Sequence, residues 1–159
     1  MGSGKSTVGR ILAQELGTFF VDSDALIESR EGVDIPTIFR EKGEGYFREL
    51  ERQCVDWMKH ALKGSVISTG GGLPIHVEEL ESVGRIVFLK SDINTLIERI
   101  AHDRTNKRPL AEQPEQIRGI YDTRLVAYER LGELTVDANR PPEEVAAEIL
   151  SRLFPNRTA

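Results

Sequence analysis

The first residues of the chain have the types and spacing that suit phosphate binding. The run GSGKST matches the second half of the pattern G-x-x-x-x-G-K-[ST], and backbone N–H groups at such a turn form a concave phosphate site. Lys5 can reach the β- and γ-phosphates of a nucleotide, and the Ser6 hydroxyl can bind Mg²⁺. A glycine-rich terminus that only precedes a helix is the alternative, but the helical pattern behind the run favours phosphate binding. The residues concerned are Gly2, Ser3, Gly4, Lys5, Ser6 and Thr7.

The run lacks the first half of the pattern. A full pattern has a glycine five residues before Gly4 and a buried strand ahead of that glycine, whereas only three residues precede Gly4. Either the phosphate-loop interpretation is wrong, or Met1 is an internal residue and the first strand and first half of the loop are absent from this chain. In the second case, an N-terminal extension of about ten residues is expected to raise stability and activity.

Asp22 and Asp24 follow a short apolar run at residues 19–22, which predicts a strand. In an open α/β sheet the carboxyl ends of the strands face the ligand crevice. One carboxylate there could hold Mg²⁺ through water, while the other orients or deprotonates a substrate hydroxyl. Aspartates also cap helices, so the spacing alone leaves a binding role and a capping role open.

Arg48 and Glu51 lie three residues apart on a helix predicted over residues 43–62. Glu51 could fix the guanidinium of Arg48 so that it forks onto a carboxylate ligand. A solvated ion pair is the simpler interpretation, and periodicity alone favours it. Cys54 and Trp57 belong to the apolar stripe of the same helix, so we assign both to the core.

Two loops have compositions that suit ligand binding. Gly70, Gly71 and Gly72 follow a predicted buried strand, where a backbone can approach a ligand closely. The polar, proline-bearing segment 102–114 suits a lid that closes over a nucleotide, with Arg108 as its candidate catalytic arginine. A plain connecting loop and a solvated loop are the respective alternatives.

Short apolar runs alternate with helical patterns along the chain, which predicts an α/β fold with a parallel sheet covered on both faces. No repeat or linker divides the sequence, so we expect one domain over residues 1–159. The predicted strands lie at residues 19–22, 65–69, 85–90 and 134–138.

The overall composition excludes several classes of protein. With 39% apolar and 30% charged residues over 159 positions, the chain suits a folded domain rather than a disordered one. A net charge of −5 argues against general nucleic-acid binding, and no apolar run is long enough to cross a membrane. Cys54 is the only cysteine, so no internal disulfide can form and a reducing compartment is expected. We therefore expect a cytoplasmic enzyme or binding domain.

Together, these motifs resemble those of the shikimate kinase family, and the match runs almost from end to end. The most diagnostic is G-E-x-x-F-R-x-x-E, at residues 43–51. The other matching stretches are GSGKSTVGR, FFVDSD, ISTGGG, KRPL and the R-x-x-x-Y of Arg124 and Tyr128.

The resemblance implies a P-loop kinase-type three-layer fold with sheet order 2-3-1-4-5, in which strand 1 is absent from this chain. It implies a substrate-binding region at residues 32–62 and a mobile lid at 102–114. The implied reaction is ATP-dependent phosphorylation of shikimate to shikimate 3-phosphate in aromatic amino acid biosynthesis. The implied enzyme is a cytoplasmic monomer that binds neither nucleic acid nor membrane.

The resemblance also implies roles for residues of the substrate site. Arg48 and Arg124 hold the carboxylate of shikimate, and Glu51 orients Arg48. Asp24 accepts hydrogen bonds from the ring hydroxyls and is the base for the attacking one. The glycine loop surrounds the ligand and supplies a backbone N–H from Gly71.

For the nucleotide, the resemblance implies that Lys5 and Arg108 neutralise charge on the transferring phosphoryl group. Ser6 and, through water, Asp22 hold Mg²⁺. The adenine is expected to lie against Arg104 on one side and against the segment after the last strand on the other. That segment comprises Asn139, Arg140 and Pro141.

The chain departs from the family pattern at Ala111, where a second leucine usually follows R-P-L, and at Val126, where a proline is common. Neither change removes a catalytic group, although Ala111 puts the rate of lid closure in question. A related P-loop kinase for another hydroxy acid, such as gluconate, is the alternative enzyme. A noncatalytic nucleotide-binding module is the alternative outside enzymes, although such a module would be expected to lose Asp24 or the lid arginine.

Overall fold

The structure, a computed structural model of the chain, describes residues 2–102 and 114–156. The helices of this part are α1 (Lys5–Leu16), α2 (Ser23–Glu31), α3 (Ile35–Ala61), α4 (Leu73–His76), α5 (Ile93–His102), α6 (Pro114–Leu131) and α7 (Pro142–Leu153). The strands are β1 (Phe20–Asp22), β2 (Val66–Ser68), β3 (Val87–Lys90) and β4 (Leu134–Asp137), and a short 3₁₀ helix spans Leu80–Ser82. Each of the four strands expected from the sequence is confirmed, with its ends within two residues of the prediction.

The four strands form two parallel pairs. β1 pairs with β2 so that Phe20 lies opposite Val66, and β3 pairs with β4 so that Val87 lies opposite Leu134. In the expected order 2-3-1-4-5, strand 1 is the one absent from this chain, so β1 to β4 correspond to strands 2 to 5. The observed pairs are therefore the pairs 2-3 and 4-5 of that order. The α/β fold class, with parallel strands that alternate with helices, is confirmed.

The chain divides into two compact units. Unit I comprises Met1–Ile11 and Ile86–Ala159, and unit II comprises Leu12–Arg85. Unit I contains the β3–β4 pair and unit II contains the β1–β2 pair. The expectation of one domain over residues 1–159 stays a prediction.

In unit II, capping residues set the ends of α2 and the start of α3. An oxygen of the Asp22 carboxylate accepts a hydrogen bond from the Asp24 N–H at 3.0 Å and so caps α2. Gly32, with a φ of 71°, ends α2, and the Asp34 carboxylate caps α3 by accepting from the Thr37 N–H at 2.9 Å. These short polar contacts fix where both helices begin.

α3 bends at Gly43, whose φ of 80° and ψ of 170° are not helical. The helix predicted over residues 43–62 corresponds to the segment after this bend. The assignment of Trp57 to the core was wrong, because this residue is 48% exposed. The buried side chains of α3 are Ile38, Phe47, Leu50, Cys54, Val55 and Met58, together with Glu51.

In unit I, β4 packs against α7, and α6 packs against both α5 and β3. The rings of Phe88 on β3 and Tyr128 on α6 lie 5.3 Å apart between their centroids. The buried apolar residues of β4, the turn after it and α7 are Val136, Ala138, Val145, Ala146 and Ile149. Across both units, no helix of the described residues is long and apolar enough to cross a membrane.

Candidate active site

The segments that follow β1 and β2 are neighbours in unit II because the two strands are parallel and adjacent. Ser23 and Asp24 come directly after β1, and the glycine loop follows β2. The buried Ser23 hydroxyl accepts a hydrogen bond from the Gly70 N–H at 3.0 Å. This bond joins the first turn of α2 to the glycine loop, so the two candidate elements form one site.

Asp24 lies directly against Gly70. A Cβ atom at Gly70 would overlap the Asp24 Oδ1 atom and would lie 3.2 Å from the carboxyl carbon. Gly70 does not have a positive φ, so crowding by Asp24, and not the backbone conformation, accounts for glycine here. A larger residue would push the Asp24 carboxylate out of its position.

Arg48 is held by two carboxylates of its own helix. Its Nη1 atom donates to Glu51 Oε2 at 2.6 Å, while Nε and Nη2 both donate to Glu44 Oε1, at 3.1 and 2.8 Å. Glu44 lies four residues before Arg48 and Glu51 three residues after it, and these spacings place side chains on one face of a helix. The bend at Gly43 starts the helical segment that carries all three.

The two carboxylates differ in burial. The side chain of Glu51 is 1% exposed and that of Arg48 is 15% exposed, whereas Glu44 is 60% exposed. The ion pair therefore joins a partly buried guanidinium to a buried carboxylate, and the solvated-pair interpretation does not describe it. Burial by itself lowers the pKa of Arg48, but its hydrogen bonds with Glu51 and Glu44 outweigh burial and raise that pKa above its usual value.

Gly72 brings the glycine loop against Arg48. A Cβ atom at Gly72 would lie 2.6 Å from Arg48 Nη1 and 3.2 Å from Nη2. One loop of three glycines thus borders Asp24 at one end and Arg48 at the other. The site therefore combines an acceptor for hydroxyl groups with a cationic fork for a carboxylate.

Cys54 lies near this site but has the properties of a packing residue. Burial raises the pKa of its thiol, and the charge of Asp24 raises it further. A neutral, buried thiol is a poor nucleophile, so the assignment of Cys54 to the core agrees with the structure.

The run GSGKST lies in unit I and leads into α1. Gly2 and Gly4 have φ values of 68° and 82°, which glycine adopts without strain. The Gly4 carbonyl accepts from the Val8 N–H at 2.9 Å, so Lys5 and Ser6 occupy the first turn of α1. The N–H groups of a first helical turn have no acceptors within the helix, and this arrangement suits a phosphate group.

Sequence reasoning missed the side chain that ties this loop to the end of β4. Arg99 of α5 donates from Nη1 to the Ala138 carbonyl at 3.0 Å and, at the longer distance of 3.5 Å, to the Gly2 carbonyl. Its sequence signal is only a basic residue in the last turn of a helix, where such residues are common. Because Ala138 precedes the residues expected at the adenine, Arg99 joins both candidate nucleotide segments within unit I.

Asn139, Arg140 and Pro141 connect β4 to α7. The Asn139 Oδ1 atom accepts a hydrogen bond from the Asp92 N–H at 3.0 Å. The guanidinium of Arg140 pairs with the Glu148 carboxylate of α7. The charge of Arg140 is therefore already engaged within unit I, and its expected contact with adenine stays a prediction.

The remaining candidate arginines belong to α6 and to the predicted lid. Arg124 lies on α6 of unit I, where its side chain hydrogen-bonds to Tyr128. Burial raises the pKa of Tyr128, and Arg124 offsets only part of that effect. Arg104 and Arg108 lie outside the described residues, as does most of the segment 102–114.

Two oxygen-bearing side chains are the candidates for Mg²⁺. Ser6 lies in α1 of unit I, and Asp22 lies at the end of β1 in unit II. Mg²⁺ usually binds one or two protein oxygen ligands together with water and substrate phosphates, so these donors fit its chemistry. In the described part of the chain, no three His, Cys, Asp or Glu side chains form a group that could hold a metal. The capping alternative for Asp22 is confirmed, since its Oδ1 atom caps α2, while its role at Mg²⁺ stays a prediction.

A glycine turn leading into a helix, followed by parallel strands that alternate with helices, defines a P-loop kinase-type α/β protein. The family model for shikimate kinase matches residues 1–154 of the chain. A shikimate kinase of Sulfurihydrogenibium sp. (strain YO3AOP1) is 42% identical over 158 residues, which is 96% of this chain and 93% of that protein.

Solved structures give the same result. The structure of shikimate kinase from Acinetobacter baumannii in complex with shikimate superposes with a TM-score of 0.84 at 31% identity and covers 100% of this chain and 91% of that chain. The structure of shikimate kinase from Aquifex aeolicus gives a TM-score of 0.83 at 38% identity and covers 98% of this chain and 93% of that chain. The chain therefore belongs to the shikimate kinase family, whose members phosphorylate shikimate with ATP.

Proposed function

We propose that this chain phosphorylates shikimate with ATP and that unit II binds shikimate through Asp24 and Arg48. The observation that carries the proposal is the Arg48 guanidinium, which is held by the buried Glu51 and bordered by Gly72. A fixed guanidinium suits the planar carboxylate of shikimate, and the nearby Asp24 carboxylate suits the ring hydroxyls. Membership of the shikimate kinase family supports the same assignment.

In the proposed reaction, a hydroxyl oxygen of shikimate attacks the γ-phosphorus of ATP. The bond from that phosphorus to the bridging oxygen breaks, ADP leaves, and the hydroxyl proton passes to the Asp24 carboxylate. The products are ADP and shikimate 3-phosphate. Since the protein makes no covalent intermediate, its contribution is to position the reactants and stabilise charge.

The carboxylate of shikimate is proposed to bind Arg48, with Arg124 of α6 as a second cation. Glu51 acts as a positioning residue, because it holds Nη1 of Arg48 from a site that solvent barely reaches. The Gly71 N–H is proposed as a further donor to the ligand.

The nucleotide is proposed to bind unit I, with its phosphates over the glycine turn. Lys5 and Arg108 are proposed to neutralise the charge that develops on the transferring phosphoryl group. Ser6 and, through water, Asp22 would hold Mg²⁺, which would supply further neutralisation of the phosphate charge. The residues proposed around the adenine are Arg104, Asn139, Arg140 and Pro141.

We also propose that the enzyme is a cytoplasmic monomer. The presence of a single, buried cysteine is consistent with a reducing compartment. Size-exclusion chromatography with light scattering would test the monomer, and a mass twice the 17.8 kDa of the chain would contradict it.

The test of the activity is ADP release from Mg-ATP with shikimate or gluconate as the acceptor. We expect release that depends on shikimate, with shikimate 3-phosphate as the second product. Release with gluconate alone would favour the alternative kinase. ATP binding without transfer to either acid would favour a noncatalytic module.

The test of the site is the substitution Arg48→Ala with Arg52→Ala as its matched control. Hydrogen bonds to charged groups contribute about 1.5–3 kcal/mol, so we expect shikimate binding to weaken about 10- to 150-fold while ATP binding is kept. Arg52 lies one turn later on α3, is half exposed and pairs with Glu49, so its loss should leave both affinities unchanged. Equal losses of shikimate and ATP binding in the Arg48 variant would contradict the assignment.

A further inference from the structure

One edge of the Arg48 guanidinium is occupied by an exposed carboxylate of the chain itself. An arginine binds carboxylates in two parallel hydrogen bonds along an edge that carries two nitrogens. The edge formed by Nε and Nη2 donates both of its hydrogen bonds to Glu44 Oε1, at 3.1 and 2.8 Å. Nη1 is taken by Glu51, and Gly72 lies against Nη1 and Nη2. The Nε–Nη2 edge is therefore the edge whose present partner is exposed, and a substrate carboxylate would take it in place of Glu44.

Glu44 can leave this edge, whereas Glu51 cannot leave its own. Glu44 is 60% exposed, and water can solvate its carboxylate once it is released. It lies between Gly43 and Gly45 at the start of the helical segment after the bend, and glycine restricts the backbone less than other residues do. Glu51 is 1% exposed, so releasing its charge from Arg48 would leave it buried without that partner.

The charges of the cluster favour an exchange over the addition of a third carboxylate. Glu44, Arg48 and Glu51 together carry a formal charge of −1, because two carboxylates face one guanidinium. A ligand carboxylate that entered while Glu44 stayed in place would meet net negative charge. When Glu44 leaves as the ligand enters, the charge around Arg48 is conserved.

We propose that Glu44 occupies the position of the substrate carboxylate on Arg48 in the empty enzyme and that shikimate displaces it. The inference rests on the proposed function, since it takes Arg48 as the group that binds shikimate. Glu44 keeps the guanidinium oriented between turnovers, and a ligand carboxylate must displace Glu44 in order to bind Arg48. A simple carboxylate only replaces one ion pair with another, whereas shikimate also gains hydroxyl contacts at Asp24. Glu44 thus weakens the binding of every carboxylate ligand by the same factor, and the contacts at Asp24 distinguish shikimate from a simple carboxylate.

The test is the substitution Glu44→Gln, which keeps the size of the side chain and removes its charge. Isothermal titration would measure the affinity for shikimate and for its uncharged methyl ester. Because an exposed ion pair is a weak competitor, we expect the Kd for shikimate to fall about fivefold, while the Kd for the ester is unchanged. The control is Glu49→Gln, which removes the same charge from the same helix at a residue that pairs with Arg52 and Gln53.

The outcomes separate the inference from the proposed function. Shikimate binding that Glu44→Gln leaves unchanged or weakens would overturn the inference alone, because Glu44 would then support Arg48 and not compete for it. An equal gain in affinity for the ester, or in the Glu49→Gln control, would also overturn it. If the unaltered enzyme does not bind shikimate, the proposed function and the inference both fail.

Discussion

Replacing Gly72 with alanine tests whether the glycine loop sets the position of Arg48. The backbone of Gly72, with φ of −87° and ψ of −26°, is one that alanine adopts without strain. The new Cβ would lie 2.6 Å from Arg48 Nη1, short of the 3.4 Å at which ordinary contact begins. The guanidinium must therefore move by about 0.8 Å, which its flexible side chain allows.

A displacement of this size is large for a group that binds a substrate. Misplacing a substrate by about 1 Å can cost a factor of about 100, so we expect the KM for shikimate to rise about 10- to 100-fold. The KM for ATP should not change, and the free energy of unfolding should change by less than about 1 kcal/mol. Initial rates of ADP release and urea denaturation would measure these quantities.

The control for this substitution is Gly84→Ala in the same unit. Gly84 is exposed, and a Cβ built there meets nothing within 4 Å. Its variant should match the unaltered enzyme in every measurement. A normal KM for shikimate in the Gly72 variant would refute the reasoning, as would a rise in the KM for ATP of the same size.

Three further predictions concern the same unit. Ser23→Ala leaves the buried Gly70 N–H without its acceptor, so urea denaturation should show that the free energy of unfolding falls by about 1–3 kcal/mol. An unchanged free energy of unfolding would mean that another acceptor replaces the hydroxyl. Glu51→Ala removes the buried partner of Arg48, which keeps Glu44 as a second partner and some contact with solvent. We therefore expect the free energy of unfolding to fall by about 2 kcal/mol, instead of the 3–5 kcal/mol lost when a fully buried pair is broken, and the KM for shikimate to rise. Burial raises the pKa of Cys54, so its thiol stays protonated as the pH rises through the usual thiol range, and iodoacetamide at pH 8.5 should modify it more slowly than free cysteine. Modification as fast as that of free cysteine would show that the thiol is accessible and ionised.

The strands were predictable because each is a short apolar run next to a helical pattern, and that alternation predicts parallel strands, whereas the family order specified which strands are neighbours. α2 entered the sequence analysis only through the capping alternative for Asp22 and Asp24, since SDALIESRE has few apolar residues and α2 packs against α3. Its ends did carry signals, namely Asp22 as a cap and Gly32 as a terminator. The error at Trp57 arose because a stripe defined by spacing alone does not show where its edge meets solvent.

The candidate site was predictable only in part. Sequence spacing could relate Arg48 to Glu51, but it could not show that Glu51 is buried, which depends on the packing of the whole unit. The contact of Gly72 with Arg48 joins residues far apart in sequence, so no local pattern reports it. Glu44 precedes Arg48 by four residues, a spacing that suggests a pair, yet two carboxylates on one guanidinium become visible only in the folded helix.

A crystal structure of the enzyme with shikimate bound would decide whether Asp24 and Arg48 form the substrate site. We expect the shikimate carboxylate at hydrogen-bond distance, about 2.7–3.2 Å, from Nε and Nη2 of Arg48, with Glu44 displaced. A ring hydroxyl should face the Asp24 carboxylate. A shikimate carboxylate bound away from Arg48, with Glu44 still on the guanidinium, would contradict the proposed site.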